Sequence, residues 1–538
     1  MDGTAVVGQN PRVKASSPVL VAALVLVAAV AASLRVSLAL ADGHLVYPLD
    51  DAYIHMAVAR NLAEHGVWGV TRHGFTSSTS SLAWPLLLAA AFSVFGAADA
   101  LPLALNVLAG LACLAVAGAA LAPHPAWWRL GILIALVLVT PLPTLVLAGM
   151  EHTLHVCVAL ALAVLVARVV ESDGPRRKGA LPLALLAALA TALRFESLFL
   201  CAAAALVLAL HRRIALAATV AGAGAIPPLA YAIISIARGW YPLPNSVLLK
   251  GARFDLTTSA GIVDLMGGRS LRLLAQTPHL LALVVVCLAL LAFAGRTARP
   301  TLPALVVIAS VLHLQFADTG WLYRYEAYLV ALGILAVGVC APPVLAAVRS
   351  ATAEGGRLAL VAAACLAGVL AYPLVERAVR AAVETPRAAK NIYDQQYQMG
   401  LFLRRFYPGA VVAVNDIGAV SYLADVHLLD LYGLASMDVA RARRAGTLDH
   451  ATLTRIAASH GTQVAVVYRS WFSQTLPPDW LEAGSWRAPE KVVVADRVVT
   501  FYAVDVPGRD RLIEELRAFE SAMPRDVAVR LAGAPEAP

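Results

Sequence analysis

The chain has 538 residues, of which 60% are apolar and only 14% are Asp, Glu, Lys or Arg, with a formal net charge of +8. Soluble domains carry about 25% charged residues, so the charges here are too few to cover a water-soluble protein of this length. With a mean hydropathy of +0.74, this excludes a soluble enzyme, a nucleic-acid-binding module and a disordered scaffold. It indicates a polytopic membrane protein with a soluble part.

A spanning helix needs about 20 mostly apolar residues. In chain order the candidate runs are Pro18–Ala41, Asp99–Ala122, Arg129–Ala148, His152–Val170, Ala180–Leu193, Glu196–Leu210, Ile214–Ile236, Thr277–Gly295, Thr301–Phe316, Glu326–Val344 and Leu358–Leu374, eleven in all. The fifth and sixth are short and flank the polar break Arg194-Phe195-Glu196, a pattern expected of half-helices around a cavity. Leu82–Gly96 is also too short, contains Pro85 and reads as an interfacial helix. The first run ends in Ala39-Leu40-Ala41, which is like a signal-peptidase site, but its apolar length is that of an uncleaved anchor. The six cysteines all lie in apolar runs, so neither a disulfide framework nor a CxxC-type metal site is expected.

With the N-terminus inside, the inner loops are roughly three times denser in Lys and Arg than the outer ones, as the positive-inside rule requires. The basic excess therefore marks the cytoplasmic face. The expected fold is a polytopic α-helical membrane domain over 1–375, with a first outer loop at 42–98. An extracytoplasmic α/β domain is expected over 376–538. In that tail, Asn391–Phe406 and Leu453–His460 have helical spacing, and Ala410–Val414 and Gln463–Tyr468 read as strands. Lys491–Val494 and Val498–Val504 read as a closing hairpin, and Ala532–Pro538 as a frayed end.

Ionisable residues at membrane depth are costly and usually functional. Here they collect at the outer face, most densely in Tyr47-Pro48-Leu49-Asp50-Asp51-Ala52-Tyr53-Ile54-His55 and on to Arg60-Asn61. Ile54, Val58 and Leu62 form the stripe of a short amphipathic helix lying on the membrane, and Asp50 stands where an N-cap would. Further clusters are Gly149-Met150-Glu151-His152, Arg194-Phe195-Glu196, Pro244-Asn245-Ser246 with Lys250, and Asp318 to Glu326 with Arg324-Tyr325. Carboxylates beside cations at one interface suit transfer from a lipid phosphate. The cations bind and stabilise the leaving phosphate, and a carboxylate serves as general base to a hydroxyl acceptor.

In order and spacing these motifs resemble the GT-C superfamily of integral-membrane glycosyltransferases, which use polyprenyl-phosphate sugars. Leu49-Asp50-Asp51-Ala52-Tyr53-Ile54, Ala59-Arg60-Asn61-Leu62, Gly66 and Thr76–Trp84 resemble the first-loop signature of the bacterial branch with the mycobacterial terminal arabinofuranosyltransferases. Asn415-Asp416-Ile417-Gly418-Ala419 and Asp430-Leu431-Tyr432-Gly433-Leu434 in the tail are similar to the same branch. The resemblance implies Asp50 as catalytic base, Asp51 as its acidic neighbour and Glu151 as the second acid. Arg60, Arg194, Glu196, Asn245, Lys250, Arg324 and Tyr325 are then the donor-binding set. Related branches carry Lys-Pro-Pro before the interfacial helix, where this chain has Ser80-Ser81-Leu82-Ala83-Trp84-Pro85, so the donor phosphate falls to Lys250, Arg324 or Arg194.

The implied reaction is an inverting displacement from a polyprenyl-phosphate sugar, arabinofuranose by resemblance, to a glycan or lipid acceptor of the cell envelope. No cofactor is required, because the donor has no diphosphate for a Mg²⁺ ion to hold. His55, His73, His152 and His155 are the residue types that would ligate a divalent metal, but no metal site is predicted. Asp416 and Asp430 read as structural. Two other readings stay open: a transporter or flippase of a lipid-linked sugar, suggested by the broken fifth and sixth spans, and a non-catalytic assembly subunit acting through its tail. The first calls for polar residues on both faces, and the second leaves the outer-loop acids unexplained.

Overall fold

A backbone surrounded by lipid has no water to bond to, so apolar runs satisfy their N–H and C=O groups within helices. A computed structural model of the chain describes residues 11–171, 179–250, 257–293 and 300–533, with side chains described except at 11–17, 250, 293 and 347–360. The basic loop residues Arg176, Arg177, Lys178, Arg253, Arg296 and Arg299, and the end at 534–538, lie outside the described residues. So do the side chains of Arg12, Lys14, Lys250, Arg349 and Arg357.

Among the described residues, six helices are individually long and apolar enough to cross a membrane: Pro18–Leu40, Ala100–Ala120, His152–Val170, Ile214–Ala237, Ala327–Ala346 and Val361–Phe406. The pair Ser259–Gln276 and Pro278–Ala292, bent by 108°, brings the number to seven if it counts as one crossing. The eleven candidate runs, two of them already short in the sequence, therefore do not all appear as separate long spans among the described residues. The third is broken into Ala126–Val139 and Leu142–Leu147 at Thr140-Pro141, where proline cannot donate its missing N–H. The fifth and sixth, Ala180–Leu193 and Ser197–Leu210, are 14 residues each, or about 21 Å, against a hydrocarbon core of about 30 Å. They form a hairpin: Thr191 and Cys201, on opposite arms, both pack against Gly224.

The helical run Ala327–Ile392 contains 66 residues and would extend about 99 Å if straight. It doubles back instead: Arg377 donates to Glu326 Oε1 at 2.9 Å and to the Tyr323 carbonyl at 2.6 Å, at the start of the same run. Its second arm passes 375/376 without a break and leads into the C-terminal domain. Lys390, near its end, pairs with Asp526 at 2.8 Å.

That domain is built on one six-stranded sheet, β1 (Val411–Val414), β2 (His427–Asp430), β3 (Val464–Val467), β4 (Leu481–Arg487), β5 (Val498–Ala503) and β6 (Ala528–Leu531), in the order β2-β1-β3-β5-β4-β6. β2, β1 and β3 are parallel, with Val412 opposite Leu428 and Val464; the remaining neighbours are antiparallel. The unbroken apolar sequences of β1 and β3 are those of strands covered on both faces. β5 pairs with β3 on one side and β4 on the other, not with Lys491–Val494 as the hairpin reading has it. Asn391 explains the difference: its Oδ1 accepts the N–H groups of Val492, Val493 and Val494 at 3.0–3.2 Å, and its Nδ2 donates to the Glu490 carbonyl. Backbone donors gathered onto one side-chain oxygen are not free for a ladder.

The three largest apolar clusters among the described residues hold the molecule together. One lies within the membrane helices and one within the C-terminal domain. The third joins the two and includes Tyr47, Tyr53, Trp84, Met150, Ile392, Tyr393, Tyr422 and Val494. Replacing Asn391 with Ala leaves three N–H groups short of a partner, at about 1–3 kcal/mol for the site. N391A is expected to lower the melting temperature and to open 490–496 to limited proteolysis; an unchanged digestion pattern would contradict the clamp.

Candidate active site

Asp50 and Asp51 open the helix Asp50–His65. This helix does not lie on a membrane surface. Ile54 and Val58 insert into the core of the C-terminal domain, and Ala52, Tyr53, Met56, Ala57 and Ala59 pack in the joining cluster. The stripe that reads as membrane-facing thus faces protein. Asp50 does not cap its own helix either. Its Oδ2 and Oδ1 accept the backbone N–H groups of Gly418 (2.7 Å) and Ala419 (2.8 Å) in the C-terminal domain. Burial pushes the Asp50 carboxyl up to about 7; Asp416 and Asp51 push the same way, while the two N–H groups pull it down. Asp416 itself accepts from Tyr468 (2.6 Å) and Gln396 (2.7 Å).

On the other side of the same turn, Asp51 accepts a bond from Arg324 Nη2. Arg324 is 2% exposed. It is delivered by four consecutive residues of left-handed backbone, Gly320, Trp321, Leu322 and Tyr323, with φ of 87°, 45°, 57° and 62°. Non-glycine residues in that region cost of order 1–3 kcal/mol each. Here Glu326 accepts the Gly320 N–H at 2.7 Å, and Arg377 bridges Glu326 to the Tyr323 carbonyl. Beside Arg324 lies Arg194, at the apex of the hairpin. It bonds Glu196 through Nε (3.1 Å) and Nη2, Glu151 through Nη1 (2.9 Å), and Ser80 (3.2 Å). The Tyr325 ring sits 5.0 Å from the Arg324 guanidinium and 5.6 Å from that of Arg194.

Glu151 is fully buried and follows Gly149, whose φ is +68°; a Cβ on Gly149 would lie 2.3 Å from the Tyr47 ring. His55 Nε2 stands 3.6 Å from Glu151 Oε2. Burial lowers the His55 imidazole below its ordinary value, against the pull of Glu151 and Asp51. Among the described residues, Glu151 Oε2, His55 Nδ1 and Arg324 Nε have no hydrogen-bond partner. A buried guanidinium and carboxylate, each with an unused position, suit a polar substrate. Among the described residues no three His, Cys, Asp or Glu side chains converge as a metal-ion site.

Of the residues singled out in the sequence, the structure gathers Asp51, Glu151, Arg194, Glu196, Arg324 and Tyr325 into one network, with Asp50 beside it. Arg60 is turned away. It donates to the carbonyls of Tyr422 (2.5 Å) and Ser421 (3.2 Å) and lies over the Tyr422 ring. Asn245 ties the Ser77 carbonyl to that of Gly433. The side chain of Lys250 lies outside the described residues. Asp430 accepts the N–H groups of Tyr432 and Ala435 and shapes its own loop. The sequence reading missed His55 as a neighbour of Glu151, Ser80 as a ligand of Arg194, and Gly418-Ala419 as the seat of Asp50; the motifs containing them were visible, but their partners lie far away in sequence.

Residues 390–502 match a family described as a domain of unknown function (DUF8728). No curated protein matches the chain. Among solved structures, the crystal structure of ArnT from Cupriavidus metallidurans bound to undecaprenyl phosphate is similar. The TM-score is 0.51 at 15% identity, over 92% of this chain and 99% of that one. The chain thus shares the fold of ArnT, with helices long and apolar enough to cross a membrane and a C-terminal sheet domain.

Removing one partner of a buried ion pair strands the other, at about 3–5 kcal/mol. R194M, which leaves buried Glu151 and half-buried Glu196 without their cation, is expected to melt well below the wild type, and R194M/E151Q to recover part of the loss. Full additivity of the two changes would show that the groups are not coupled.

Proposed function

We propose that the chain is a membrane glycosyltransferase that moves a sugar from a polyprenyl-phosphate donor to a hydroxyl of a cell-envelope glycan or lipid. The observation that carries this reading is the buried network of Asp51, Arg324, Tyr325, Arg194 and Glu151, with the Asp50 carboxylate adjoining it. The ArnT-like fold supports it, since the ArnT crystal structure contains undecaprenyl phosphate. The motif resemblance favours arabinofuranose as the sugar. The charge distribution in the sequence favours the outer face of a bacterial cytoplasmic membrane, with the C-terminal domain on the same side.

In this mechanism Asp50 is the general base. Each of its oxygens accepts one N–H and retains a second acceptor position. The acceptor hydroxyl passes its proton to Asp50, and its oxygen bonds to the anomeric carbon as the carbon–oxygen bond to the phosphate breaks. The electron pair leaves with polyprenyl phosphate, whose charge is stabilised by Arg324 and Arg194 in a water-poor setting. A single displacement inverts the anomeric configuration. Asp51 holds Arg324 in place, and Glu151 with His55 provides acceptor and donor positions for sugar hydroxyls.

The test is transfer by the full chain in lipid nanodiscs, using synthetic decaprenyl-phosphate arabinofuranose and an alkyl arabinofuranoside acceptor. D50N should reduce turnover by about 10²–10⁴-fold while the protein remains monodisperse. The wild-type rate should fall as pH drops through about 7, because a base raised to that value becomes protonated there. Wild-type turnover by D50N would overturn the assignment.

A further inference from the structure

The helix Asp50–His65 grips one short segment of the C-terminal domain at both ends. Gly418–Leu423 is a single six-residue helix. Its first two N–H groups meet the Asp50 carboxylate, and its last carbonyls, of Ser421 and Tyr422, meet Arg60. The anion is at the N–H end and the cation at the C=O end, the sense that peptide dipoles favour. The approach at Gly418 leaves no room for a side chain. A Cβ there would lie 2.0 Å from the Asp50 carbonyl oxygen and 2.8 Å from both its carbonyl carbon and its Cγ. Tyr53 packs against Tyr422 with ring centres 5.9 Å apart, next to the same seam.

We infer that Gly418 and Ala419 are positioning residues for the transfer reaction, their two backbone N–H groups setting the carboxylate of Asp50, so that the C-terminal domain forms part of the active site. This rests on the reading of Asp50 as base. Two donors, one on each oxygen, fix both the position and the rotation of a carboxylate that opens its own helix without a side-chain cap bond. The charged and titratable groups facing it are Asp51 on its own helix, and Asp416 and Tyr468 from the domain, with Asp416 held by Tyr468 and Gln396. Displacement of a catalytic group by about 1 Å can cost about 10²-fold in rate, and a Cβ at 418 demands a shift of that size.

The test uses the full chain in nanodiscs and the decaprenyl-phosphate arabinofuranose assay, with D50N, G418A and A419P compared over pH 5–9. G418A is expected to lose about 10²-fold in kcat with the donor KM within about twofold of wild type. A419P removes one N–H and puts a ring Cδ where Oδ1 accepts it at 2.8 Å, so it both strips a donor and displaces the carboxylate; its kcat should fall, and its acid limb should move to higher pH, because a charged form that loses a donor is harder to keep. A merely structural contact would lower the melting temperature of both variants without splitting kcat from KM or moving the pH limb. If G418A does not fold, A419P decides. An inactive D50N beside a G418A or A419P of wild-type kcat and unmoved pH limb overturns the positioning role and leaves the base intact. A D50N of wild-type turnover overturns the base itself.

Discussion

Two buried guanidiniums organise the functional end of this molecule. A charge removed from water must be matched by the protein, and Arg194 and Arg324 are 5% and 2% exposed. Each finds its carboxylates on other parts of the chain or across a tight turn: Arg324 on Asp51, Arg194 on Glu151 and Glu196. Satisfying both draws together the first loop, the turn before His152, the hairpin apex and the turn before Ala327. The same requirement accounts for the left-handed backbone at Gly320-Trp321-Leu322-Tyr323, which is held by Glu326 and Arg377 while it presents Arg324.

The C-terminal domain is tied to this end through several independent kinds of contact. It donates two N–H groups to Asp50, accepts Arg60, and buries Ile54 and Val58 in its own core. Asn245 and Lys390 add further ties. The first loop is therefore as much a part of that domain as of the membrane helices. The loop helix becomes a rigid platform, and rigid platforms hold catalytic groups better than free loops do.

Much of the site was legible in the sequence because charges are rare in this chain, so each polar cluster among the apolar runs stood out. Asp50-Asp51, Glu151, Arg194-Phe195-Glu196 and Arg324-Tyr325 were found that way. β1, β3 and β5 were legible from short runs rich in β-branched and aromatic residues. β4 was not, because Leu481–Arg487 contains Glu482, Gly484 and Arg487 and has a bulge between Glu482 and Gly484. The stripe of Ile54, Val58 and Leu62 was read correctly as helical but assigned to the wrong neighbour, since periodicity reports an apolar partner without saying whether it is lipid or protein. The resemblance puts Arg60 with the donor, but ten residues along a helix carry it about 15 Å from Asp50, to the carbonyls of Ser421 and Tyr422. Nothing local to Gly418 announces that a residue 368 positions earlier in the chain occupies the space of its side chain.

The most direct measurement is an experimental structure of the full chain with a polyprenyl phosphate bound. The phosphate is expected against Arg324 and Arg194, with the space for a sugar lying between it and Asp50. A lipid phosphate found instead at the far end of the helices, in the cavity of about 340 Å³ lined by Arg168, Glu171 and Cys340, would contradict it.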